Sequence, residues 1–153
     1  MARVVQLSNV ASIEWVGLLR EATGEGSRTT SRWVAQYQSD SRYRLVGIRA
    51  DLKIIGLLGF RVLTPTSLEI THIAVLRQHR HQHLGTQMIG VLTLIHRGLE
   101  FIAYTDDDAV GFYRKMGFHV ESLGEVYPGR LRYRCIRYPW CSTSIETRSE
   151  VRP

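Results

Sequence analysis

Two short stretches hold most of the residues that could do chemistry. The first runs LEITHIAVLRQHRHQHLGTQMIGVLTLI, from Leu68 to Ile95. An apolar run closes on Ile73, Ala74 and Val75. Arg77 and Arg80 follow, interleaved with His79, His81 and His83. Leu84, Gly85 and Thr86 then open a segment with apolar residues at Leu84, Met88, Leu92, Ile95 and Leu99. The spacing predicts a strand, a basic turn and a helix start. A helix start presents unpaired backbone N–H groups and the positive end of the helix dipole, so this order suits an anion, above all a phosphate. The second stretch, DDDAVGFYRKMGF, predicts a short helix from Asp107 to Met116 closed by Gly117 at the C′ position.

These residues need a frame. Arg3 to Leu7 reads as a strand, and Ile13, Val16 and Leu19 mark one face of a helix ending before Gly24. GEGSRTTS reads as a polar loop. Ser31 to Gln38 reads as a short helix with Trp33, Val34 and Tyr37 on its apolar side. Three strands follow, Tyr43 to Arg49, Ile54 to Leu63 and Leu68 to Val75, with turns at Asp51 and at Thr64-Pro65-Thr66. After the helix from Leu84 to about Gly98 come a strand, Phe101 to Tyr104, and the second signature helix. Two strands, Phe118 to Gly124 and Leu131 to Tyr138, close the domain around Tyr127-Pro128-Gly129. The order β-α-α-β-β-β-α-β-α-β-β is that of a mixed α/β sheet domain. Residues 1–141 make one domain, and the polar, aperiodic stretch 142–153 is expected to be a mobile tail.

The chain's 153 residues fit one domain with a real core. Its 44% hydrophobic and 22% charged content is ordinary for a soluble globular protein. No apolar run approaches the ~20 residues that span a bilayer, and MARVVQLSNV carries no signal-like block. Cys135 and Cys141 lack a metal-type partner pair and read as reduced thiols of a cytoplasmic protein. The net charge of +6 favours an anionic ligand. Nucleic acid is disfavoured as that ligand, because the basic residues are not gathered on one helix and stacking motifs are absent.

At this point the residues resemble a family, the GNAT superfamily of acyl-CoA-dependent N-acyltransferases. Its first signature is a strand ending in a Val-like position, then Arg/Gln-x-x-Gly-x-Gly/Ala at a helix start. Here it is Val75, then Arg80-His81-Gln82-His83-Leu84-Gly85. The later signature, Asn-x-x-Ala-x-x-(Phe/Leu)-Tyr-x-x-x-Gly-Phe, is matched by Asp106, Ala109, Phe112, Tyr113, Gly117 and Phe118 with every spacing kept. The element order agrees from Arg3 to about Tyr138. The resemblance implies a mostly antiparallel twisted sheet flanked by helices. Two positions depart from it. His83 stands where the first Gly is usual; Gly there allows positive φ, which His adopts more readily than most residues. Asp106 stands where Asn is usual, which sets a carboxylate near the cofactor path.

The resemblance also implies an activity: transfer of the acetyl group of acetyl-CoA to a primary amine, by direct attack in a ternary complex, with no metal. Ile73, Ala74 and Val75 would pair with the pantetheine arm like an added strand. The backbone N–H groups of His81, Gln82, His83, Leu84, Gly85 and Thr86 would hold the pyrophosphate, with charge from Arg77 and Arg80. Asp106 would border the cofactor. Tyr113 holds the position of the acid that protonates the leaving thiolate. An amine with a pKa near ~10.4 is almost wholly protonated at pH 7, so a base is useful. Glu69, six residues before Val75, is the candidate. With period two, Glu69, Thr71, Ile73 and Val75 share one face and His72 takes the other, structural one.

The other readings are plainer. Gly85 could simply be a helix-start glycine, Tyr113 a core aromatic and Glu69 a solvated strand-end residue. The H-x-H-x-H of His79, His81 and His83 lacks the carboxylate or thiol that a metal site usually adds. Arg130, Arg132 and Arg134 alternate with Leu131, Tyr133 and Cys135, as a solvated edge face or a clamp for an acceptor carboxylate. A non-catalytic acyl-CoA-binding or sensing module is the competing function. Small-molecule or peptide amines remain open as acceptors, no membrane partner is expected, and a homodimer is among the assemblies left open.

Overall fold

The computed structural model describes residues 2–8, 10–24 and 27–139. Cys141 and the tail expected from 142 lie outside them. The elements are β1 (Arg3–Gln6), α1 (Val16–Thr23), α2 (Ser27–Ser39), β2 (Tyr43–Ala50), β3 (Lys53–Thr64) and β4 (Ser67–Val75). Then come α3 (Leu84–Ile95), β5 (Glu100–Asp106), α4 (Val110–Lys115), β6 (His119–Tyr127) and β7 (Arg130–Arg137). Short 3-10 turns precede α1 at Ser12–Glu14 and α3 at Arg77–His79. The expected order is present.

The strands form one sheet in the order β1-β2-β3-β4-β5-β7-β6, antiparallel throughout except for the parallel β4–β5 pair. Each face buries its own core. On one face Ile48, Leu58, Phe60, Leu68 and Ile70 meet Leu84, Met88, Ile89 and Leu92 of α3 and Val110 and Tyr113 of α4. On the other, Leu45, Ile54 and Leu57 meet Leu18 and Leu19 of α1, with Trp33, Val34 and Tyr37 of α2 against them. Isolated helices as short as α3 are marginal in water. Four buried side chains at roughly 2 kcal/mol each hold it to the sheet and so fix its first turn in place.

Several boundaries differ from the sequence reading, among them the end of β6, at Tyr127 rather than Gly124, and the end of α3, at Ile95 rather than Gly98. α2 starts at Ser27, inside the segment expected to be loop, because Thr30 is buried at helical spacing from Trp33 and Val34. Sequence pattern counts a threonine as polar and misses it. α4 starts at Val110 rather than Asp107, because the Asp106 carboxylate accepts the N–H of Asp108 at 3.1 Å and closes a turn that competes with helix. β5 runs on to Asp106, opposite Arg132. The end of α4 follows expectation. Gly117 takes φ +82°, and Phe118 N–H donates to Tyr113 C=O at 3.0 Å, as a left-handed helix end requires.

Candidate active site

β4 and β5 pair only over their first halves, from Ser67 opposite Glu100 to Ile70 opposite Ala103. Beyond Ile70 they separate. β4 continues on β3 to Val75 opposite Gly56, and β5 continues on β7 to Asp106 opposite Arg132. Each wall of the wedge is therefore anchored by a paired strand. Thr71 to Val75, including the expected Ile73, Ala74 and Val75, lie along it without a partner on the β5 side. That is the edge an extended amide chain can join.

The basic turn lies between the end of β4 and the start of α3. Arg80 is fastened there. Its Nε donates to Val75 C=O at 3.1 Å, and its guanidinium meets Glu21 of α1 at 3.3 Å. His81 and His83 both take left-handed backbone, φ +63° and +58°. His83 is the N-cap of α3 and makes no side-chain cap bond; the first helical bond is Gln87 N–H to His83 C=O. Consequently the N–H groups of His81, Gln82, His83, Leu84, Gly85 and Thr86 have no acceptor among the described residues. Six consecutive free donors at a helix start form an anion cradle, and their residue types and spacing fit a diphosphate.

Gly85 has a packing reason of its own. A Cβ there would stand 3.2 Å from the Phe112 ring of α4 and 3.6 Å from Ile73 Cδ1 of β4. The glycine thus lets α3, α4 and β4 converge. Tyr113, next to Phe112, is 4% exposed and packs on the rings of Phe112 and Phe118. Burial pushes its phenol up from the ordinary value, with the nearby Cys135 thiol adding to the effect. The hydroxyl is held in its protonated, donor form. Asp106 closes the far wall, its carboxylate committed to the Asp108 turn.

Glu69 does not stand where period-two counting put it. The β3–β4 register shifts between Gly59 opposite His72 and Phe60 opposite Ile70, so Thr71 is an extra residue on β4. The bulge turns the strand over. Ile73 and Val75 join the α3-side core of Leu68 and Ile70, whereas Ala74 packs with the α1–α2 side. Glu69 therefore does not share a face with Ile73 and Val75, and His72 is not opposite Glu69. Both approach α2. Glu69 accepts from Arg61 Nε at 2.7 Å and from its terminal nitrogen at 2.6 Å, and Arg61 donates to the Tyr43 hydroxyl at 3.1 Å. Protonating Glu69 would cost this pair.

The sequence reading missed a cluster beside it. The Tyr37 hydroxyl lies 2.5 Å from Thr71 Oγ1 and 2.7 Å from His72 Nδ1, and the His72 ring meets Trp33 edge-on at 4.4 Å. Burial lowers His72 to about 4, so the ring is neutral at pH 7. Gly59 was the available signal, because a glycine inside an apolar strand marks a bulge or a close approach. The arginine ladder also needs correction. β7 lies between β5 and β6, so Arg130, Arg132 and Arg134 are not on an edge strand, and Arg134 pairs with Glu121 of β6 at 3.5 Å. Two cavities lie nearby: one of about 500 Å³ is lined by Tyr37, Tyr43, Phe60 and His96, and one of about 700 Å³ runs along α3 from Thr86 to Arg97.

A wedge-split sheet, a donor-lined turn and a buried tyrosine at the spacings of both signatures define a class of fold. A sequence model of the acetyltransferase (GNAT) family matches residues 8–118, and the chain belongs to that family. The chain is also 36% identical over 67 residues to an uncharacterized N-acetyltransferase in the lysA 3′ region of Bacillus methanolicus; the match covers 44% of this chain and 56% of that relative. Among solved structures it resembles an aminoglycoside 6′-N-acetyltransferase complexed with coenzyme A. The TM-score is 0.79 at 13% identity, over 93% of this chain and 99% of that one. It also resembles a GNAT family acetyltransferase from Elizabethkingia anophelis with acetyl-CoA bound, at TM-score 0.65 and 17% identity, over 88% and 95%. At such identities the structural likeness speaks for the fold. No helix among the described residues is long and apolar enough to cross a membrane.

Proposed function

We propose that this chain transfers the acetyl group of acetyl-CoA to the primary amine of a small molecule, by direct attack in a ternary complex. The observation that carries the reading is the run of free N–H groups from His81 to Thr86 at the mouth of the β4–β5 wedge. When bound, acetyl-CoA supplies the activated thioester. The residues present divide the remaining work. The turn binds the diphosphate, and the free edge from Thr71 to Val75 orients the pantetheine amides. Tyr113 donates a hydrogen bond and then its proton to the sulfur as the C–S bond breaks. The likeness to an aminoglycoside acetyltransferase supports a small amine as acceptor.

Gly85→Glu would disturb the Phe112 contact as well as an anion, so it does not isolate the turn. Gln82 is exposed, and Gln82→Glu adds charge without touching the core. Calorimetry with CoA is expected to show roughly tenfold weaker binding for Gln82→Glu. An unchanged isotherm would remove the turn as the diphosphate site. The ion pair that ties up Glu69 favours a second reading, a binding module without turnover. Thiol release from acetyl-CoA over a panel of small amines separates the two, since a binding module binds CoA and releases none.

A further inference from the structure

Three separate features are built around one hydroxyl. α2 brings Tyr37 to the sheet. Gly59 of β3 leaves the space for its hydroxyl, which any Cβ at that position would overlap. The bulge on β4 turns Thr71 and His72 toward it, one residue past Ile70, where β4 leaves β5. Tyr37 then bonds to both. The bulge also sets the faces of Ile73, Ala74 and Val75, but the Tyr37 hydroxyl and its two partners are polar groups that packing does not require.

The position along the wedge matters. Thr71 lies four residues from Val75, about 13 Å at ~3.3 Å per residue. A pantetheine arm is about as long as four extended residues. With the diphosphate at the turn after Val75, the thioester reaches the closed end of the wedge, beside Thr71 and His72. The two faces of the sheet then carry different groups. Tyr113 belongs to the core on the α3–α4 side, and His72 packs against α2 on the other.

We propose that Thr71, Tyr37 and His72 form a proton relay that removes the proton of the attacking amine. The inference rests on the acetyl-transfer reading. The ammonium first loses one proton to solvent, and the neutral nitrogen then forms the C–N bond as the C–S bond breaks. Its proton passes to His72 Nε2 while Nδ1–H gives its proton to the Tyr37 oxygen. The Tyr37 hydroxyl gives its own to Thr71 Oγ1, and the Thr71 hydroxyl releases one to solvent. The thiolate takes its proton from Tyr113, which is restored from solvent, and the chain resets when His72 Nε2 gives its proton to solvent while one returns through Thr71 and Tyr37 to Nδ1. His72 Nδ1 is the nitrogen bound to Tyr37, and Nε2 has no partner among the described residues. No fully buried side-chain nitrogen or oxygen among them lacks a partner, so Nε2 is not wholly sealed from solvent. The nearby titratable groups are Tyr37 of α2, Tyr43 of β2, Arg61 of β3 and Glu69 of β4, and the last two neutralise each other. His72 conducts the proton and does not store it, because its burial disfavours the imidazolium.

Tyr37→Phe and Thr71→Val each break the chain while keeping the shape. With an amine that the wild type acetylates, each is expected to lower kcat roughly ten- to hundredfold at pH 7 and to leave CoA affinity unchanged. The deficit should shrink at high pH, where hydroxide takes the proton instead. Nitrogen NMR of the wild-type His72 ring is expected to show the Nδ1–H tautomer, with Nε2 bare. Turnover in Tyr37→Phe and Thr71→Val equal to the wild type, or an Nε2–H tautomer, would overturn the relay and leave acetyl transfer standing. A wild type that binds CoA yet acetylates no amine would overturn both.

Discussion

The two ends of the wedge are built on opposite principles. The mouth, from Arg77 to Thr86, is exposed and basic, and its working atoms are backbone N–H groups. The closed end, around Thr71 and His72, is aromatic and largely buried, and its working atoms belong to side chains from two elements, α2 and β4. A backbone site depends on chain path, so it tolerates His81 and His83 where glycine would be easier. A side-chain site depends on register and on every neighbour. One inserted residue on β4 decides which groups meet there. Substitutions should therefore act differently at the two ends, on cofactor affinity at the mouth and on stability and proton movement at the closed end.

The largest expected contrast lies in acid stability, because His81 and His83 of the mouth are exposed and His72 is buried. Folded His72 titrates at about 4 against 6.5 for a free ring. Above pH 6.5 both states are neutral and the fold keeps its full stability. As pH falls from 6.5 to about 4 the unfolded chain takes up a proton that the folded ring refuses, so stability is lost, on the order of 3 kcal/mol in all. Urea denaturation of wild type and His72→Gln at pH 7.5 and 4.5 measures the difference, and the variant should have the flatter profile. His96, lowered by burial and by Arg44, contributes a slope of the same sign to both proteins. Equal slopes would mean that His72 is hydrated in the fold and would remove the contrast between the two ends.

Next in size is Tyr113, proposed above as the donor to the leaving sulfur. Tyr113→Phe keeps the ring between Phe112 and Phe118 and removes only the hydroxyl. It is expected to lower kcat roughly a hundredfold, with acetyl-CoA affinity within about a factor of two of the wild type. Steady-state kinetics with calorimetry separates these quantities. Unchanged turnover would return Tyr113 to the role of a core aromatic.

The same division explains what could be read without coordinates. The element order, the turn before α3 and the glycine ending α4 are local, carried by residues within a few positions of one another. They match the sequence reading, and Gly117 sits at the positive φ that its place demanded. The closed end was illegible for a physical reason. Period-two counting assumes an unbroken pleat, and Thr71 breaks it, which exchanged the faces of Ile73 and His72. Tyr37 and His72 are 35 positions apart with no local pattern to link them. The start of α2 was hidden because the residue buried there, Thr30, is polar by composition and buried by circumstance. Glu69 was located correctly along the chain, but its pairing with Arg61 depends on the cross-strand register and so on the structure.

The smallest expected effect belongs to His83, and it bears on how little the mouth depends on side chains. At φ +58° and ψ 24° an L-residue pays roughly 1–2 kcal/mol, and His83→Gly relieves this. Glycine also gives the unfolded chain more freedom, which offsets roughly 0.5–1 kcal/mol. The net change is a stabilisation of about 1 kcal/mol or less, measurable as a shift in the urea midpoint at constant m-value. CoA affinity at pH 8 should stay within about twofold, because the N–H groups proposed to hold the diphosphate remain. Calorimetric CoA affinities of the two proteins check this. A large loss in His83→Gly would show that the mouth depends on the imidazole, whereas equal affinities leave His83 with its backbone role alone.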